Sequence, residues 1–169
     1  MTIISLDEVL VERLDPPTAH DVAVVKELLG RAPQGRFSVV LRSPEGMPVV
    51  LANEPLLASG RPMPTLFWLV DRDLVKQMGQ LESTGGVNRA EAEVDPAALQ
   101  AAHERYAQQR DAMIAATYDG PRPFGGVAGT RVGVKCLHAH YAYHLVGGDD
   151  PVGRWIEQEL ATPSPPSSP

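Results

Sequence analysis

The spacing of apolar residues changes from helical to strand-like near Arg36, and this change limits the fold class. Before Arg36, the residues Val22, Val25 and Leu28 recur at the spacing of one helix face, which predicts a helix over about 19–29. After Arg36, alternation and turn residues predict short strands. Further along, the spacing is helical again. We therefore expect an α+β fold in which a small, mainly antiparallel sheet of about three strands packs with four to six helices.

Three stretches predict the strands of this sheet. Phe37, Val39 and Leu41 alternate with Ser38, Val40 and Arg42, and turn residues at 43–46 lead into a second apolar stretch at 48–51. Together they predict a β-hairpin. A third strand is predicted over 65–70, and three strands give the sheet a face that it can bury.

Capping residues and prolines predict where the other helices begin. Asp95 and Pro96 form an N-cap and first-turn pair, which predicts a long helix to about Thr117. Other helices are predicted after Ser5, after Asp71 or Asp73, from about Cys136 to Gly147, and from Pro151 onward. We expect residues 1–161 to form a single globular domain and the Pro/Ser-rich residues 162–169 to form a disordered tail.

Charge and cysteine content exclude several classes of protein. The chain has 15 Lys+Arg against 21 Asp+Glu, a net charge of −6, which disfavours broad electrostatic binding to nucleic acid or to an anionic membrane. Cys136 is the only cysteine, so no intramolecular disulfide can form. The first twenty residues lack the apolar run of a secretory signal, and we expect a cytoplasmic protein.

The densest group of chemically active side chains lies at 136–144. Imidazole and thiolate are zinc ligands, so Cys136, His138 and His140 are candidate metal ligands and zinc is the candidate cofactor. These three side chains share a face if the segment is a strand, whereas Cys136, His140 and His144 share one if it is a helix. A metal-free polar site, or histidines that only pack and hydrogen-bond in the interior, are the alternatives.

A second group lies on the predicted long helix. His103, Tyr106 and Arg110 follow one another at helical spacing, on the same stripe as Leu99 and Met113. An arginine there can bind a carboxylate or phosphate, and a histidine can transfer a proton. A solvated helix face is the alternative.

Five segments of the chain resemble, in order, the domain of unknown function 501 family: 64–69, 81–87, His103 with Tyr106 and Arg110, 134–140, and 148–155. The resemblance covers about residues 18–160. It implies a small bacterial protein, often encoded near a septum-formation initiator, and it implies no established activity. The family pattern often has cysteines near Ser43 and Asp71, so a site that needs those cysteines is not expected here.

The leading hypothesis is that both groups line one cleft that binds a small anionic ligand bearing a phosphate or carboxylate. Its candidate acid–base residues are His103, His138 and His140, and its candidate ligand-binding residues are Tyr106, Arg110, Lys135 and Arg154. Two alternatives remain open. One is a non-enzymatic regulatory or interaction module linked to cell division, with a protein partner, and the other is a zinc protein.

Overall fold

The computed structural model describes residues 14–162, which form a three-stranded sheet and six α-helices. The elements are α1 (Ala19–Leu29), β1 (Phe37–Arg42), β2 (Pro48–Asn53), β3 (Phe67–Leu69), α2 (Arg72–Ser83), α3 (Gly86–Glu93), α4 (Pro96–Ala112), a 3₁₀ turn (Val127–Gly129), α5 (Leu137–Leu145) and α6 (Pro151–Ala161). The predicted α+β class is confirmed. The helix expected after Ser5 and nearly all of the expected tail lie outside the described residues. Between residues 14 and 162, every helix is too short or too polar to cross a membrane.

The sheet is antiparallel in the order β1-β2-β3, as the hairpin signal predicts. β2 is the central strand, and all six of its residues are buried because helices cover both faces of the sheet. On one face, Leu51 and Val70 pack with Val25 of α1. On the other face, Val50 and Phe67 belong to the main core, together with α4, α5 and α6.

A β-bulge in β1 changes the face on which its side chains lie. Val39 pairs with Leu51 and Leu41 pairs with Val50, so one residue, Val40, is extra on the β1 side. Phe37 and Val39 therefore pack under α1, whereas Leu41 joins the main core on the opposite face. The regular alternation expected for this strand is wrong beyond Val39, because a bulge leaves no signature in the apolar pattern.

Two helix predictions also need correction. α4 ends at Ala112 rather than near Thr117, because the Met113 and Ile114 amides bond three residues back and tighten the end of the helix. The sequence did not predict α3, which follows α2 after a two-residue break. Gly85 takes a left-handed conformation (φ 81°) that ends α2, and the same residue caps α3.

A buried carboxylate links α1 to the hairpin. Asp21 accepts hydrogen bonds from both terminal nitrogens of Arg42, at 2.8 and 3.0 Å, and from the backbone and hydroxyl of its N-cap residue Thr18. The hydrogen bond from Arg42 is the main reason that the pKa of Asp21 lies well below its usual range. The hairpin is thereby fixed against the first turn of α1.

We expect Asp21→Asn to lower the free energy of unfolding by about 1 to 2 kcal/mol, because it removes the charge that Arg42 and the helix N-terminus stabilise. Urea denaturation followed by circular dichroism measures the change. Glu54→Gln is the matched control, since Glu54 is in an exposed ion pair with Arg36 and its loss should cost less than about 0.5 kcal/mol. Equal losses in the two variants would contradict the assigned role of Asp21.

Candidate functional site

Polar side chains occupy the face of α4 that packs into the core. His103, Tyr106 and Arg110 are 3%, 0% and 1% exposed, so the alternative of a solvated helix face is excluded. Buried polar groups at such positions need hydrogen-bond partners. All three find theirs in backbone groups of neighbouring segments.

Tyr106 joins α4 to the start of β3. Its hydroxyl oxygen accepts hydrogen bonds from the Leu66 and Phe67 amides, at 2.6 and 3.1 Å. Burial raises the pKa of Tyr106 well above its ordinary value, so the phenol stays neutral. The Tyr106 hydroxyl thus bonds to the backbone and does not make the ligand contact that the sequence predicted.

Arg110 fixes two loops at once. Its Nη1 donates to the carbonyls of Pro64 (3.2 Å) and Gly125 (2.9 Å), and its Nε donates to the Asp111 carboxylate at 2.9 Å. The guanidinium charge is therefore balanced by a neighbouring carboxylate and by carbonyl dipoles. These contacts hold the approach to β3 and the glycine-rich loop (residues 125–133) against the end of α4.

His103 holds the same glycine-rich loop further along. Its Nδ1 accepts from the Val127 amide at 3.1 Å, which places the ring proton on Nε2, and Nε2 donates to the Gly133 carbonyl at 2.9 Å. Gly126 lies against this residue so closely that a Cβ there would be 2.4 Å from His103 Cβ. Burial is the main reason that the pKa of His103 is lowered, and His140 adds to the effect.

His140 forms a fully buried pair with Asp150. The His140 Nδ1 and Asp150 Oδ2 atoms are 2.7 Å apart, and both side chains have no exposed surface. Asp150 also caps α6 by accepting from the Val152 and Gly153 amides. Nε2 of His140 has no partner within residues 14–162, and its ring lies 5.6 Å from that of His103. The pair ties α5 to the start of α6.

Three potential metal ligands converge where α2 meets α5. Cys136 is the N-cap residue of α5, His138 lies in its first turn, and Glu82 lies in the last turn of α2. His138 Nδ1 is 3.8 Å from Cys136 Sγ and 3.1 Å from Glu82 Oε1. One ligand atom from each residue lies within 4.8 Å of the other two. We call this group the Glu82–Cys136–His138 cluster.

The backbone holds the cluster in place. The Leu137 amide donates to Glu82 Oε1 at 2.8 Å, so Glu82 serves α5 as a cap that Cys136 does not supply. On the other side of the ring, His138 Nε2 donates to the Val75 carbonyl at 3.2 Å. The hydrogen bond to Cys136 raises the pKa of His138 to about 9; partial burial opposes this effect and Glu82 adds to it.

The structure divides the predicted site residues between two grooves. The first, which we call the Cys136 groove, has a volume of about 320 Å³ and is lined in part by Cys136 and His138. The second, which we call the Arg110 groove, has a volume of about 270 Å³ and is lined in part by His103 and Arg110. His103 and His140 do bring the two segments together, but their rings meet in the interior and not in a shared cleft.

The remaining predicted residues lie elsewhere. Lys135 is exposed, and Arg154 is an exposed residue that pairs with Asp149. The predicted metal set of Cys136, His138 and His140 needs correction, since a helix starting at Leu137 turns His140 inward to Asp150 and away from the other two. The structure supplies Glu82 instead. The only sequence signal for Glu82 was its place in segment 81–87, one of the stretches that carry the family resemblance.

Comparison with known proteins finds one family match. Residues 39–158 match the model described as protein of unknown function (DUF501). No curated protein and no solved structure matches the chain. The matched range contains the predicted site residues that line the two grooves, and it contains the Glu82–Cys136–His138 cluster.

We expect Tyr106→Phe to lower the free energy of unfolding by about 1 to 3 kcal/mol, because it leaves the buried Leu66 and Phe67 amides without an acceptor. Urea denaturation measures this loss. Tyr118→Phe is the control, since the Tyr118 hydroxyl makes only long bonds at the surface. A Tyr106→Phe protein as stable as the control would show that the two amides do not depend on Tyr106.

We expect the stability contributed by the His103 site to fall as the pH drops below about 6.5, the pKa of an unfolded histidine. The pKa of His103 is lowered on folding, so below that pH the unfolded state binds a proton that the folded state resists. The side chain of His103→Asn is uncharged at every pH. When the pH is lowered from about 7.5 to about 5.5, the unfolding free energy of this variant should therefore fall less than that of wild type.

The comparison of wild type with His103→Asn isolates His103. His138, whose pKa is raised, contributes with the opposite sign and is present in both proteins. The same pH dependence in both proteins would contradict a neutral, buried His103.

Proposed function

The chain belongs to the DUF501 family of proteins of unknown function, and we propose that it is a zinc-binding protein whose centre is formed by Glu82, Cys136 and His138. Three protein ligands leave the fourth tetrahedral position for water or substrate, which is typical of catalytic zinc centres. The observation that carries the proposal is the convergence of one oxygen, one sulfur and one nitrogen within 4.8 Å of one another.

The distances within the cluster fit tetrahedral coordination. Zinc-ligand bonds of about 2.3 Å to sulfur and about 2.0 to 2.1 Å to nitrogen or oxygen put the ligand atoms about 3.3 to 3.6 Å apart. The distances from His138 Nδ1 are 3.8 Å to sulfur and 3.1 Å to oxygen. These two distances lie within a few tenths of an ångström of the tetrahedral values, and the sulfur and the carboxylate oxygen lie within 4.8 Å of each other.

The hydrogen bond on the far side of the ring supports the same function. Histidine ligands of metals commonly donate their other ring N–H to a carbonyl or carboxylate, which orients the ring and selects the nitrogen that binds. His138 Nε2 donates to the Val75 carbonyl. Nδ1, the nitrogen that faces Cys136 and Glu82, is then the one that would give up its proton and bind a metal.

The position of Glu82 distinguishes the cluster from a simple pair of a cysteine nucleophile and a histidine base. His138 Nδ1 is closer to Glu82 Oε1 (3.1 Å) than to Cys136 Sγ (3.8 Å), so the carboxylate and the thiol share one ring nitrogen. A metal ion bound by all three side chains would satisfy this arrangement.

We expect the full-length protein to bind about one equivalent of Zn²⁺ in competition with a chromophoric chelator. Cys136→Ser and Glu82→Gln should each weaken binding by at least about tenfold, since each removes one ligand but keeps a similar shape. With Co²⁺ in place of Zn²⁺, wild type should show a thiolate charge-transfer absorption that Cys136→Ser lacks. These measurements test the metal and the sulfur ligand independently.

The matched control is His144→Gln, because His144 lies on the same helix but pairs with Glu157 outside the cluster. It should bind Zn²⁺ as wild type does. Circular dichroism of each variant checks that the fold is retained. The absence of saturable Zn²⁺ binding by wild type, or equal affinity in wild type and a folded Cys136→Ser, would refute the proposed function.

A further inference from the structure

We propose that the Cys136 groove binds a small organic anion, whose negative group pairs with Arg31 while one of its oxygens reaches the open position of the metal. This inference rests on the proposed zinc site and adds the class of ligand that the site takes. It is carried by the arrangement of Arg31 and Trp68 beside Cys136 and His138, which line the same groove.

Arg31 is an exposed residue that stacks on Trp68 and makes one long hydrogen bond, from Nη1 to the Ala32 carbonyl at 3.4 Å. Its guanidinium carbon lies 5.7 Å from the centre of the Trp68 ring, so the cation is placed against the aromatic face. Stacking of this kind leaves the N–H groups at the edge of the guanidinium available to an acceptor. Between residues 14 and 162, no carboxylate pairs with Arg31, whereas Arg42, Arg110 and Arg154 each have one.

The charge of the groove also favours an anion. No Asp or Glu is among the described residues that line it, although the whole chain has a net charge of −6. The Arg110 groove differs, because Glu104 and Asp111 line it and Asp111 already neutralises Arg110. A thiolate and a carboxylate ligand would balance the charge of a bound divalent cation, so the positive charge of the Cys136 groove comes from Arg31.

The walls of the groove limit the size and nature of the ligand. Leu29, Trp68 and Leu69 provide an apolar surface, and the volume of about 320 Å³ is at the lower end of the range for small-molecule sites. Ala128, which also lines the groove, has a φ of 56°, the only positive φ of a non-glycine residue within 14–162. Such strain is characteristic of functional sites. The ligand class is therefore a compact carboxylate or phosphate ester with an apolar body.

The test is isothermal titration of the zinc-loaded, full-length protein with benzoate, phenyl phosphate and the neutral analogue benzamide. We expect at least one of the two anions to bind, and benzamide to bind at least about tenfold more weakly. The two anions distinguish a carboxylate from a phosphate ligand. Removal of zinc with a chelator should weaken binding of the anion, because one of its contacts is lost.

Arg31→Gln should weaken binding of the anion by at least about tenfold and leave the affinity for Zn²⁺ unchanged. Arg36→Gln, which changes an exposed arginine outside this groove, is the matched control. It should bind the anion and Zn²⁺ with the affinities of wild type. If zinc-loaded wild type binds neither anion, or if Arg31→Gln binds it as wild type does, the inference is wrong while the zinc site stands. If wild type binds no zinc, the proposed function fails and the inference fails with it.

Discussion

The structure depends most on the hydrogen bonds by which buried side chains of α4 satisfy the backbone of its neighbours. A long segment between α4 and α5 has little regular secondary structure, so its buried amides and carbonyls need partners from elsewhere. His103 and Arg110 provide them for the glycine-rich loop, and Tyr106 does so for the start of β3. Charged and polar groups on a buried helix face are therefore structural in this fold.

These bonds also position the candidate metal centre. His103 holds the Gly133 carbonyl, three residues before Cys136, so α4 helps to determine where α5 begins. The start of α5 then meets Glu82 of α2, and the buried pair of His140 and Asp150 fixes the other side of the same helix. The reactive groups that remain accessible, Cys136 and His138, lie at the one end of α5 that borders a groove.

The sequence predicted most of the helices and strands. It did not predict which polar residues hydrogen-bond to the backbone and which remain accessible. Asp95 with Pro96 predicted the start of α4 correctly, because a cap is a local interaction. The bulge at Val40 and the separate helix α3 depend on tertiary packing and were missed. A spacing of three or four residues showed that His103, Tyr106 and Arg110 share a helix face. It could not show that all three side chains form hydrogen bonds with the backbone of other segments. Glu82 is 54 positions from Cys136, and nothing local connects the two.

X-ray absorption at the zinc edge of the zinc-loaded protein tests the central claim most directly. A centre formed by Glu82, Cys136 and His138 predicts one sulfur neighbour at about 2.3 Å, with nitrogen and oxygen neighbours at about 2.0 to 2.2 Å. The sulfur contribution should be absent from a folded Cys136→Ser protein. A wild-type spectrum with only nitrogen and oxygen neighbours would contradict the account.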